Sequence, residues 1–190
     1  MSIALLNTPY KSKYFMRFQK LLVAIDDSPL CPAVFAAALE LAQSNKASIR
    51  LLCSINPDIV SESAVPTALD PNLPLGLGNS NDFQVYETQQ VLIDQQVGEA
   101  QALLKRYMDK ALSYSVATES DYKLGEPGHQ LCEAAKDWGA DLVVVGRRGL
   151  TGLREALQGS VSNYVVHHAP CSVLVIQEVE PELPPEAITD

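Results

Sequence analysis

The chain has 190 residues, 47% apolar, 19% charged and 6% aromatic, which fits one globular domain with short additions and excludes a disordered or coiled-coil chain. Its 14 basic and 23 acidic residues give a net charge of −9, which argues against general nucleic-acid binding but not against a small phosphate ligand held by backbone amides. No apolar run approaches the roughly 20 residues that span a bilayer, and Cys31, Cys53, Cys132 and Cys171 lie far apart without a C-x-x-C pair, as expected of free thiols in a reducing cytoplasm.

Residues 1–17 form a basic-aromatic extension without the long apolar core of a secretory signal. KLLVAID (20–26) then reads as a strand, nearly continuous in apolar residues like a parallel strand covered on both faces. Ser28 and Pro29 suit the N-cap and first position of a helix that keeps Leu30, Val34, Ala38 and Leu41 on one face to about residue 44. SIRLLCSI (48–55) is a second strand. Residues 56–82 carry Pro57, Pro66, Pro71, Pro74, Gly76 and Gly78, the composition of a long loop insertion. A long helix follows over about 83–112, with Val85, Leu92, Ala100, Leu103, Tyr107 and Ala111 at helical spacing. A strand at 116–123, a Gly125-Glu126-Pro127-Gly128 turn and a helix ending at Trp138 come next, with Gly139 as the stop. DLVVV (141–145) is another buried strand, and a helix over 161–168 leads to a last strand, SVLVIQ (172–177). Residues 178–190 are an acidic, proline-rich tail. Strand and helix thus alternate five times. The fold class expected is α/β, a single doubly wound domain with a five-stranded parallel sheet flanked by helices, over residues 18–177. Ligands of such sheets sit outside the carboxyl ends of the strands, where strand order reverses.

The strongest chemical signal follows the DLVVV strand, in GRRGLTGLREALQGS (146–160). Gly146 lets backbone approach a ligand at a strand end, and Gly149 permits a tight reversal. Gly159-Ser160 opens the next helix, whose free N–H groups and positive dipole end favour an anion. The Ser160 hydroxyl can cap that helix or bond a phosphate oxygen. Taken singly, each of these residues also fits a plain glycine-bearing connection. The whole spacing, after a buried strand and before a helix, favours a phosphate cradle. Arg147 and Arg148 inside the loop could neutralise phosphate. Asp26 suits either a ligand contact or a cap for the following helix. His129, His167, His168, Trp138 and the cysteines need no ligand, and there is no P-loop.

The same segment resembles the G-x2-G-x9-G-[ST] signature of the ATP-binding branch of the universal stress proteins. KLLVAIDDSP, LGEPGHQLCEAAKDWGADLVVVGRRG and APCSVLVI extend the resemblance over about residues 18–177, apart from the insertion at 56–82. The resemblance implies a Rossmann-like, adenine nucleotide alpha hydrolase-like fold holding ATP or another adenine nucleotide. Asp26 would contact the ribose or a phosphate-linked Mg ion. Ala24 and Ser54 would line the adenine pocket, and Val145 and Gly146 would lie beside adenine and ribose. Gly149, Gly159, Ser160, Val161 and Ser162 would hold phosphates. The last strand, 172–177, would pair across a homodimer.

The expected function is a cytoplasmic, nucleotide-dependent regulatory dimer in the stress response, without nucleic-acid or membrane partners. A pocket tuned to AMP, cyclic AMP or cyclic di-AMP would make it a second-messenger sensor. Slow ATP hydrolysis is a further reading, although no nucleophile and base pair is visible and neither an S-x-G-x-D-S loop nor an H-x-G-H pair is present. An interaction module without nucleotide is the remaining one, against which the intact glycines speak.

Overall fold

The computed structural model describes residues 18–57, 81–147 and 160–177, with backbone alone for residues 81–88 and Ser160. In chain order the elements are β1 (Lys20–Ala24), α1 (Cys31–Asn45), β2 (Ser48–Ile55), α2 (Asn81–Ser113), β3 (Thr118–Leu124), α3 (Pro127–Trp138), β4 (Leu142–Arg147), α4 (Ser160–His168) and β5 (Ser172–Gln177). The five strands form one sheet in the order β3-β2-β1-β4-β5. Every neighbouring pair is parallel. This is the doubly wound α/β architecture expected from the alternation of elements. Strand order reverses between β1 and β4, which places the switch point there.

The two faces of the sheet follow from strict alternation along the strands. Leu21, Val23, Ile49, Leu51, Leu142 and Val144 pack with Val34, Phe35 and Ala38 of α1 and with Leu104, Tyr107 and Ala111 of α2. Leu22, Leu52, Val143 and Val145 pack with Leu131 and Ala135 of α3 and with Val165 of α4. At 1.5 Å per residue α2 is about 50 Å long, and among its described side chains, from residue 89 on, the first buried one is Ala100. Val91, nine residues earlier, is 65% exposed.

Helix ends show which local signals acted. In α3 the Glu126 carboxylate accepts the His129 backbone N–H at 2.7 Å, Pro127 occupies the first turn, and Gly139 closes the helix at φ 67°. In α1 the start differs from expectation. Ser28 is not the N-cap. Leu30 is, without a side-chain bond, and Pro32 rather than Pro29 lies in the first turn. The Ser28 hydroxyl is instead committed to Asp26 Oδ1 at 2.6 Å, and the Ser28 N–H bonds the same oxygen at 3.1 Å. That bond pattern makes an Asx-type turn ahead of the helix.

The two sheet edges differ in character. β3 carries Glu119, Ser120, Asp121 and Lys123, with an Arg50–Glu119 ion pair at 3.1 Å and an Asp121–Lys123 pair at 3.3 Å. β5 carries Val173, Leu174, Val175 and Ile176, all half-buried. Among the described residues no helix is long and apolar enough to cross a membrane.

Candidate functional site

The carboxyl ends of β1, β2 and β4 bring several of the expected site residues together. Leu22, Ala24 and Val145 belong to the α3/α4 face of the sheet. Ser54 shares that face by alternation from Leu52. The Ser54 hydroxyl donates to the Gly125 carbonyl at 3.1 Å, and the Gly125 N–H bonds the Ile55 carbonyl at 2.8 Å. These two bonds clamp the end of β2 to the turn that leads into α3. Gly125 holds φ 133°, a conformation that a side chain would strain.

Asp26 lies two residues beyond β1. The N–H of Ile25 continues the ladder to the Leu52 carbonyl at 2.9 Å, so the chain leaves the sheet at Asp26 itself. The carboxylate is exposed and braced by Ser28, as described above. It is thus held in place at the rim of the switch point and is not spent on capping α1.

Gly146 is the place where the structure adds a reason that the sequence reading lacked. A Cβ there would lie 3.1 Å from Leu30 Cδ2 and 3.1 Å from Val34 Cγ2. The missing side chain therefore lets β4 seat closely against α1. The space it leaves is on the helix side, opposite the face shared by Ala24, Ser54 and Val145.

Beyond β4, α4 starts at Ser160 and must begin at the carboxyl end of the sheet, because β4 and β5 are parallel. Ser162 is buried and Val161 packs against the α3/α4 core. A Cβ on Gly128 of α3 would come within 2.9 Å of Tyr164 Cβ on α4, so the amino end of α3 touches the middle of α4 almost backbone to side chain. Of the expected phosphate residues, Arg148, Gly149 and Gly159 lie outside the described residues, as does the side chain of Ser160.

At the opposite, amino end of the sheet, Trp138 is half-buried, with Lys20 Nζ 5.3 Å and the Arg50 guanidinium 5.0 Å from its ring centre. All four cysteines are free thiols. Burial pushes the Cys53 thiol up to about 11, helped by the nearby Asp26 charge. Burial likewise raises Cys31, which sits directly below the Asp26 turn.

Comparison with known proteins agrees with this layout. The universal stress protein family model matches residues 17–177. The universal stress protein Sll1388 of Synechocystis is 37% identical over 162 residues, 85% of this chain and 99% of that protein. Universal stress protein YxiE of Bacillus subtilis is 31% identical, covering 84% of this chain and 99% of its own length. Among solved structures, the protein MJ0577 superposes with a TM-score of 0.67 at 19% identity, over 87% of this chain and 99% of that one. A universal stress protein in complex with cAMP gives 0.56 at 20% identity, over 85% and 98% of the two chains. An Arabidopsis thaliana family protein with AMP bound gives 0.52 at 22%, over 88% and 97%. By this match over most of its length, the chain belongs to the universal stress protein family.

Proposed function

We propose that the chain binds an adenine nucleotide, ATP first, in the crevice where β1 and β4 part, and acts as a nucleotide-dependent regulatory dimer in the stress response. The observation that carries this reading is the convergence at one end of the sheet: Asp26 after β1, Ser54 on β2, Val145 and Gly146 on β4, and the amino end of α4. Ala24 and Ser54 supply a small, partly polar wall for adenine, and Asp26 offers an acceptor to ribose hydroxyls. The glycine segment ahead of α4, with Gly149, Gly159, Ser160 and Arg148, is assigned the phosphates. Family structures with cAMP and with AMP support an adenine ligand.

A magnesium ion linked through phosphate fits Asp26. Such ions take one or two carboxylates and fill the remaining positions with water and substrate phosphate. No cluster of three or more metal-ligating side chains occurs among the described residues, so a protein-held metal independent of nucleotide is not part of the proposal. The apolar β5 edge supports pairing between two copies, and the free thiols support a cytoplasmic setting.

Thermal unfolding with ATP, ADP, AMP, cyclic AMP and cyclic di-AMP, with and without magnesium, tests the proposal. A ligand at a hundred times its Kd stabilises by about 2.7 kcal/mol if it binds only the folded state. Loss of that shift in Gly159→Val, with the fold intact, is expected. Absence of any shift at millimolar nucleotide would refute the reading and leave an interaction module. A shift confined to AMP or cyclic AMP would favour the second-messenger reading, which the family complexes with those ligands support.

A further inference from the structure

The wall assigned to the base is poor in groups that could recognise one. Ala24, Val145 and Gly146 carry no polar side-chain atom, and the Ser54 hydroxyl proton is spent on the Gly125 carbonyl at 3.1 Å. That bond leads to a side chain with both donors and an acceptor to give. Gln130, the fourth residue of α3, is half-buried. Helix side chains lean toward the amino end of their own helix, and here the lean brings the Gln130 amide back over Gly125. A Cβ on Gly125 would stand 2.9 Å from Gln130 Nε2 and 3.4 Å from Gln130 Cδ. The amide thus lies on the bare backbone of the residue that clamps the end of β2. Its polar atoms make no hydrogen bond among the described residues, and neither is sealed from solvent.

We infer that Gln130 is a specificity-determining residue of the proposed site, its amide hydrogen-bonding the edge of the purine that carries the exocyclic amine. An amide supplies two donors and an acceptor. It can accept from the amine and donate to a ring nitrogen at once, the bidentate pairing that adenine favours. The layout of the sheet supports the contact. Strand order runs β2-β1-β4, so β2 and β4 lie two strand spacings apart, roughly 10 Å. A nucleotide with its phosphate at the start of α4 and its base across β1 brings the far edge of that base to the end of β2, beside the amide. The glycine at 125 is part of the arrangement, because a Cβ there would displace the amide.

The inference rests on the proposed nucleotide site, and the experiment separates the two. AMP and purine riboside monophosphate, which lacks only the exocyclic amine, are titrated by calorimetry into the full chain as wild type, Gln130→Leu and Gln130→Met. Wild type is expected to prefer AMP by roughly three- to tenfold, the worth of one hydrogen bond. In both variants AMP is expected to weaken by at least that factor, purine riboside monophosphate by less, and the preference to fall to near one. The comparison is a cycle between one side chain and one ligand group, so plain loss of packing weakens both ligands alike and leaves their ratio unchanged. Methionine keeps the unbranched stem, so a folding defect in the leucine variant leaves the test intact. If wild type binds AMP without preference, or the preference survives in the variants, this inference alone is overturned. If wild type binds neither ligand, the proposed function fails and the inference falls with it.

Discussion

Replacing Gly128 by alanine should loosen the junction of α3 and α4. The added Cβ would stand 2.9 Å from both Tyr164 Cβ and Tyr164 Cδ1 and 3.0 Å from Cγ. Carbon pairs rest at about 3.5–4.0 Å, so the helices must part by several tenths of an ångström. Tyr164 cannot swing clear, because one of the three atoms is its own Cβ. Overpacking of this kind costs about 1–3 kcal/mol. Better helix propensity returns at most about 1 kcal/mol, and less here, since Gly128 is only the second residue of α3. A net loss of about 1–2 kcal/mol corresponds to a Tm fall of roughly 2–8 °C in a domain of this size. Differential scanning calorimetry at neutral pH reads it directly. Tyr164→Ala as a second background sharpens the test: it removes the Cγ and Cδ1 clashes and leaves the Cβ clash, so the penalty of Gly128→Ala should shrink without vanishing. An alanine variant as stable as wild type, or an equal penalty in both backgrounds, would refute the packing argument. Because α4 opens at the proposed phosphate site, the same variant should also weaken AMP.

Gly146→Ala should be tolerated within about 1 kcal/mol, since only the ends of the Leu30 and Val34 side chains stand in the way, while Gly146→Val should cost about 1–3 kcal/mol in urea unfolding. Glu126→Ala removes the cap on α3 and should destabilise by about 0.5–2 kcal/mol in the same assay, with the loss traced to faster exchange of the His129 amide. Alkaline stability should depend on Cys53. Its folded-state value of about 11 lies above the ordinary 9.0, so the unfolded chain loses the thiol proton first, and the contribution present below pH 9 is lost between pH 9 and about 11. Unfolding midpoints from pH 8 to 11 should fall less steeply in Cys53→Ala, and an identical slope would count against the assignment.

The strands were legible because their signal is local and strong. The runs at 48–55 and 172–177 are observed with the expected bounds, as is the stop of α3 at Gly139. The start of α1 was not. Serine followed by proline is a sound cap signal, but the Ser28 hydroxyl has a better acceptor in Asp26 two residues back, and the helix begins beyond both. β3 starts at Thr118 rather than at Val116, because the Val116 N–H closes the end of α2 onto the Ala111 carbonyl before the chain enters the sheet. Asp26, Ser54 and Gly146 could be proposed from strand ends alone, since a parallel sheet gathers those ends, whereas Val145 came only with the family resemblance. The role of Gly146 in seating α1 and the Gly128–Tyr164 junction join residues 36 to 116 positions apart. No pattern within a single element encodes such contacts.

The unlike edges of the sheet also limit how large an assembly can grow. A strand edge open on both sides of a molecule invites endless addition, one copy after another, into a fibre. Here β3 is lined with charge and β5 with aliphatic side chains, so only one direction of growth is welcoming. Any pairing of β5 with β5 uses up that edge on both copies at once and leaves two charged borders facing outward. Such a contact is self-terminating at two, whatever the concentration of the chain.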